Sequence, residues 1–522
     1  MNPWLEQHKR SVGWTLFGLT LLLLGVTLTS PGIAWDESWY LGSAQLQVLW
    51  VEKLLSEGPA AALNRETVLE MWDWQHYYNP HPPIYKEWMA VTWWTTKSVV
   101  GHLAGLRLAP ALLFSGLVML AFRWGTAAWS GIAGLGAALS IMLQPRLFGH
   151  AHFAATETPL IVAWVSATAA AWWAIERERR VGWIIAGVFW GLAMGTKFTG
   201  VAALTPVALY GLWRAPRRTV TGVAIAGVVA LLLFWLLNPM LWVAPDYFLR
   251  TWLWESIHRA EYAPVFTYYM GRHFGFDVPW HHVFVMTGVV VPVGILILAG
   301  IGAVLGLRRL DPLAVLCAGT IGFVWMMFLL PKAPHHDGIR QFIVLFPFLG
   351  MLAGYGLHRS WIALEDRMMK WILLVAILPP AAELAAIHPY YLSYYSEPVG
   401  GLRGAYALGF EPTYWQDAFA DPVLDYLNRE IPEGSRVFVN GETLSLITQQ
   451  GIGRLRRDLE FTNEMPADFL LAQMRFSVMR GNPFLTRGAP TPQFLLVHQG
   501  APLVAVYRLE GSAPASGART DE

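Results

Sequence analysis

Among 522 residues there is a single cysteine, Cys317. It sits inside an apolar run and has no partner within the chain, which excludes an internal disulfide framework and leaves the redox compartment unread. Charge is also scarce. Asp, Glu, Lys and Arg together make up 14% of the chain, and 37 basic against 36 acidic residues give a net charge of +1. So small an excess argues against a nucleic-acid partner. No internal repeat is visible. What the chain has in quantity is apolar surface: 55% hydrophobic residues, 27 tryptophans and a mean hydropathy of +0.40. A soluble protein of this length could not hide that much, so the composition implies a polytopic membrane protein.

The first apolar run, 12–29, follows His8, Lys9 and Arg10. It is long for a signal peptide and lacks a small-x-small cleavage site, so it reads as a retained signal-anchor helix. By the positive-inside rule the N-terminus lies in the cytoplasm. Glu176-Arg177-Glu178-Arg179-Arg180, Arg214 to Arg218 and Arg308-Arg309 fall on the same side. Apolar runs at 106–124, 127–147, 158–175, 182–196, 199–213, 219–237, 283–306, 311–330, 341–357 and 369–387 then make about eleven spans. The Trp-rich stretch 84–100 has both ends outside and is expected to lie as an amphipathic interfacial helix. The expected domain plan is a transmembrane unit over 1–387, with outer loops at about 31–105 and about 238–282. It is followed by an extracytoplasmic α/β domain over 388–510 and a disordered tail over 511–522. Within the α/β domain, Arg436–Asn440 and Gln493–His498 read as strands and Ala467–Arg475 as a helix.

In this topology the outer rim collects most of the unusual charge: Asp36 and Glu37, Lys86, Glu157, Lys197, and the run Lys332-Ala-Pro-His335-His336-Asp337-Gly-Ile-Arg340. Each has an ordinary explanation. Asp36 and Glu37 can end a helix among interfacial aromatics. Glu157 can face a helix dipole with Thr156 as cap, and Lys197 can snorkel. Together, ionisable groups crowded on one rim point to a single site at the membrane boundary. His335-His336-Asp337 has the residue types of a divalent-metal site but lacks an evident third or fourth ligand, so no metal ligand is assigned and the cofactor stays open. The chemistry that fits is transfer from a phosphate-linked lipid. A carboxylate deprotonates an acceptor hydroxyl, and Lys and Arg neutralise the departing phosphate.

Several short motifs occur in a telling order: Trp35-Asp36-Glu37, Pro82-Pro83 with Lys86, Arg107-Leu-Ala-Pro110, Glu157-Thr-Pro159, Gly191-Leu-Ala-Met-Gly-Thr-Lys197, and Arg340 with Phe346-Pro347. In this the chain resembles glycosyltransferase family 39, with its protein O-mannosyltransferase and lipid A aminoarabinose transferase relatives of the GT-C membrane fold. His388 to Tyr395, Val399-Gly-Gly401 and Glu411-Pro-Thr-Tyr-Trp415 resemble a bacterial subgroup. The resemblance implies an all-α, multi-pass GT-C protein of the bacterial inner membrane with a small C-terminal α/β domain. It implies transfer of a sugar from a polyprenyl-phosphate donor to an extracytoplasmic acceptor (protein, glycolipid or polysaccharide). By the resemblance Asp36 and Glu157 would be catalytic, and Lys86, Lys197 and Arg340 would bind the lipid phosphate; Glu37, His335, His336 and Asp337, from the same charged rim, are expected to bind substrate as well. Lys86 departs from many relatives by following Pro-Pro by three residues. The rival readings are a membrane transporter and a non-catalytic polyprenyl-phosphate-binding membrane protein.

Overall fold

A computed structural model describes residues 3–73, 81–258, 261, 265–366, 368, 379–479 and 491–509. Trp74 to Tyr78, Tyr262, most of the run expected to span at 369–387, and the tail 511–522 lie outside the described residues.

Among the described residues five helices are long and apolar enough to cross a membrane: Lys9–Thr27, His102–Ala128, Glu157–Glu176, Pro216–Leu236 and Arg340–Ala363. Gly131–Met142, Val181–Met194 and Pro312–Phe328 are apolar but shorter, and His282–Val290 meets Val293–Arg308 at a bend of 120°. The protein is thus helical and multi-pass, but several expected spans are interrupted, each for a local reason. The run 127–147 stops at Met142 and restarts at Pro145, because Pro145 has no N–H to continue the hydrogen-bond ladder. The run 199–213 opens as a 3₁₀ helix, Phe198–Leu204, before Pro206 starts an α-helix at Thr205–Arg214. Pro292 breaks 283–306, and 341–357 begins with the 3₁₀ turn Arg340–Leu345. The interfacial stretch forms one helix, Ile84–Val100, joined by Gly101 in a positive-φ conformation to the next helix at His102.

Burial ranks the helices. In Glu157–Glu176, 89% of the apolar window is buried, against 22% in Lys9–Thr27 and 28% in Pro216–Leu236. The first is therefore central, as is Arg340–Ala363 with the same 89%, and the other two carry broad apolar faces left for lipid. Close backbone approach does much of the packing. A Cβ on Gly302 would come 2.0 Å from the carbonyl of Leu352, so helices Val293–Arg308 and Phe346–Ala363 meet through small residues.

The C-terminal region holds a five-stranded mixed sheet. With β1 (Thr267–Tyr269) and β2 (Arg272–Phe274) forming a separate hairpin, its strands are β3 (Arg436–Asn440), β4 (Glu460–Thr462), β5 (Phe469–Gln473), β6 (Phe494–His498) and β7 (Ala501–Arg508), in the order β4-β3-β5-β7-β6. β3 runs parallel to β4 and β5, and β7 runs antiparallel to β5 and β6. The helix expected over Ala467–Arg475 is instead β5, buried along its whole length at the sheet centre. A run apolar on both faces suits a central strand as well as a buried helix turn. The sheet is not a detached lobe: Tyr390, Tyr391, Phe410 and Val437 share one apolar cluster with the membrane helices.

One buried ion pair ties the first outer loop to this body. Arg107 Nε donates to Glu37 Oε1 and Nη2 to Glu37 Oε2, each at 2.7 Å. Its remaining donors reach the carbonyls of Leu28, Pro31 and Gly32 at 2.6–3.0 Å. Glu37 also accepts from the backbone N–H of Ala34 and Ala154. The expectation that Glu37 binds substrate is therefore corrected. As the first residue of helix Glu37–Glu57 it turns inward, opposite to its neighbour Asp36, and all its acceptor capacity is spent on the fold. Arg107→Lys leaves three donors for five bonds and a planar fork unfilled. We expect a loss of about 2–4 kcal/mol, at about 1–3 kcal/mol per buried acceptor left unpaired, read as a lower unfolding temperature in detergent.

Candidate active site

The site forms where the central helix begins. The short helix Pro145–His150 and the turn after it deliver Glu157 as the first helical residue, almost fully buried. Glu157 Oε1 accepts from Arg340 Nε at 2.9 Å, from Thr156 Oγ1 at 3.0 Å and from Lys197 Nζ at 3.4 Å. Thr156 thus serves the carboxylate and makes no side-chain cap. Lys197 sits in the extended link between Val181–Met194 and Phe198–Leu204, and its Nζ also donates to Gln341 Oε1 at 3.3 Å.

Arg340 is the hub. Besides Glu157, its Nη1 donates to Asp337 Oδ2 at 3.1 Å and its Nη2 donates to Asp36 Oδ2. One face of the guanidinium lies over the Trp415 ring, 4.0 Å from its centre. Asp337 is shared: its Oδ1 lies 2.7 Å from Nη2 of Arg475, which follows β5 and covers Trp35 at 5.4 Å. The loop carrying Asp36 is held by two backbone bonds to the 415–417 segment, Gly32 N–H to Asp417 O at 2.9 Å and Trp35 N–H to Trp415 O at 2.8 Å.

These groups border a cavity of about 820 Å³ lined by Asp36, Tyr40, Lys197, Arg340, Trp415 and Arg475, with His81 and His336 at its wall. Burial and neighbouring charge decide the protonation states. Burial pushes the Lys197 ammonium below the ordinary lysine range, against the pull of Glu157. Burial would raise the Asp337 carboxyl, but Arg475, His336 and Arg340 outweigh it and bring it down to about 2. Burial lowers His81 well below the usual histidine range and brings His150 to about 4, so both imidazoles are neutral near pH 7. The cavity wall thus presents cations and carboxylates side by side.

Of the residues singled out in the sequence, Asp36, Lys197, Arg340, His336 and Asp337 line the cavity. Glu157 does not. It stands behind Arg340 and Lys197 and is bonded to both. Lys86 is also corrected: on the first turn of helix Ile84–Val100 its Nζ closes back onto the His81 carbonyl at 2.9 Å, outside the cavity lining. His335 turns away from His336. Its Nδ1 lies 3.1 Å from His282 Nδ1, and it lines a second cavity of about 590 Å³ with Trp280 and Asp277. The two histidines therefore make no chelate, and among the described residues no three His, Cys, Asp or Glu side chains gather as a metal site. Trp415, Arg475, Tyr40 and Gln341 join the site without having stood out in the sequence. Trp415 lay in a quoted motif; Arg475 had no local signal.

Glu157→Gln removes the counter-charge shared by two buried cations. We expect about 3–5 kcal/mol of destabilisation, the usual cost of breaking a buried pair from one side, measured as a fall in unfolding temperature of the purified protein.

No curated protein sequence matches the chain. Among solved structures, ArnT from Cupriavidus metallidurans bound to undecaprenyl phosphate is similar at a TM-score of 0.49 and 14% identity, over 95% of this chain and 98% of that one. The apo form of the same protein gives 0.49 and 16%, again over 95% and 98%. The oligosaccharyltransferase AglB from Archaeoglobus fulgidus gives 0.41 and 13%, over 88% of this chain and 61% of that one. Residues 80–242, the stretch that supplies Glu157 and Lys197, match the family model of the dolichyl-phosphate-mannose-protein mannosyltransferases, which bears out the resemblance read from the motifs.

Proposed function

We propose that this protein is a membrane glycosyltransferase that moves a sugar from a polyprenyl-phosphate donor to an acceptor hydroxyl on the extracytoplasmic face, on a protein, glycolipid or polysaccharide. The observation that carries this is the convergence of Asp36, Lys197 and Arg340 on one cavity at the start of an otherwise apolar central helix. The match to a family named for a dolichyl-phosphate-linked donor supports it. The Arg214–Glu176 pair lies at the far end of the same central helix. With the basic residues beside it, this supports a cytoplasmic N-terminus and an outward-facing site in a bacterial inner membrane.

In this reading the free edge of Asp36 accepts the proton of the acceptor hydroxyl. The hydroxyl oxygen attacks the anomeric carbon, the carbon–oxygen bond to phosphate breaks, and the electron pair leaves with the phosphate. Lys197 and Arg340 meet the charge that builds on that phosphate. Charges that face one mouth, with apolar helices behind them, favour this reading over a transporter, whose ionisable groups would line a path at mid-membrane.

Asp36→Asn should abolish sugar transfer while the protein still binds undecaprenyl phosphate; retained transfer in a folded variant would sink the assignment. Phosphate binding should also weaken as pH rises. Lys197 holds its proton only below its lowered pKa, so the loss should begin below the range of an exposed lysine. Lys197→Arg, which stays charged, should move that loss to higher pH in a binding titration.

A further inference from the structure

Arg340 is heavily engaged. Each of its three nitrogens donates one N–H to a carboxylate, those of Glu157, Asp337 and Asp36, and one of its faces is covered by Trp415. A phosphate must share this guanidinium with three carboxylates, and it takes one of the nitrogens to itself only when a carboxylate gives way. The bond to Asp337 Oδ2, at 3.1 Å, is the longest of the three. Asp337 is also the one carboxylate of the three with a second arginine, Arg475, at 2.7 Å.

We propose that Arg475, carried by the C-terminal sheet, holds Asp337 so that Arg340 is free to bind the donor phosphate. This rests on reading the cavity as a polyprenyl-phosphate site. The charges make the point. Asp36, Glu157 and Asp337 stand against Arg340, Lys197 and Arg475, a balanced set of three and three. Without Arg475 the cluster carries an excess negative charge, Asp337 has only Arg340 to pair with, and an incoming anion meets both a competitor and a repulsive field. With Arg475 in place, Asp337 keeps a partner when Arg340 turns to the phosphate.

The backbone keeps Asp337 from simply following Arg340. Asp337 and Gly338 both have positive φ, 62° and 64°, and a Cβ on Gly338 would come 2.7 Å from Arg146 Nη1, so the turn is closely packed. Arg475 is fixed from its own side. Ser477 donates through its N–H and its hydroxyl to Glu411 Oε1 at 2.7 and 2.8 Å, and Gln473 Nε2 donates to Thr413 Oγ1 at 2.6 Å. The same 411–415 segment places Trp415 under Arg340. The C-terminal region is thereby part of the donor site, and Arg475 is a positioning residue that acts through Asp337.

The test is a double-mutant cycle on the full-length protein in lipid nanodiscs, with undecaprenyl phosphate as the probe and its dissociation constant as the readout. Arg475→Gln should weaken binding about tenfold, about 1.4 kcal/mol. Asp337→Asn, which removes the competitor, should bind at least as tightly as the parent. The double variant should recover most of the loss, a result that a merely structural arginine would not produce. Unchanged binding in a folded Arg475→Gln, or no recovery in the double variant, overturns the proposal. Where Arg475→Gln does not fold, Asp337→Asn decides alone: weaker binding than the parent overturns it. Failure of the parent protein itself to bind the probe would instead bring down the donor reading on which this stands.

Discussion

A guanidinium held among three carboxylates, with two further cations close by, governs the outer end of this protein. Burying any one of these charges alone would cost far more than the fold can supply, so each is tolerable only because the others are present. That mutual dependence fixes where the surrounding backbone must go. The first loop brings Asp36, the central helix brings Glu157, the broken link after Met194 brings Lys197, and a left-handed turn brings Asp337. The apolar helices below are the platform, and the charge cluster aligns their upper ends.

The breaks in the helices follow from the same need. A helix that continued through Gly195 to Phe198 would satisfy its own backbone but would carry Lys197 round its axis. Ending at Met194 leaves the lysine in an extended link, free to reach both Glu157 and Gln341. The 3₁₀ turn at Arg340 does likewise for the guanidinium. Non-helical backbone at this depth is tolerated where it lines a polar cavity and is enclosed by protein.

Neighbouring residues in the first loop show how finely the division of labour is drawn. Asp36 and Glu37 are adjacent, both acidic and both flanked by aromatics, yet one lines the cavity and the other is locked under Arg107. The start of a helix between them turns their side chains to opposite sides. The Glu37–Arg107 pair holds the loop in register while leaving Asp36 facing the cavity. In the same way Glu157, also an acid at a helix start, lies behind the two cations it binds and outside the cavity lining.

Much was legible in the chain itself. Hydropathy located helices such as Lys9–Thr27, Glu157–Glu176 and Pro216–Leu236 to within a few residues, because burial in lipid demands long uncharged runs. The count of about eleven unbroken spans did not hold: among the described residues five helices, or six if the bent pair is one, are long and apolar enough to cross. The one-sided placement of Asp36, Lys197 and Arg340 followed from counting those runs, since charge at a span's end is costly without a role. Motif order pointed to the family. Three things were settled only by the tertiary structure: which carboxylate faces the cavity, where Lys86 and His335 turn, and that Arg475 joins the site. The direction of a side chain at a helix start depends on one residue of register. The meeting of Arg475 with Asp337 depends on a sheet docking across more than a hundred residues of chain. No local pattern carries information of that kind, because both partners are ordinary residues until the fold brings them together.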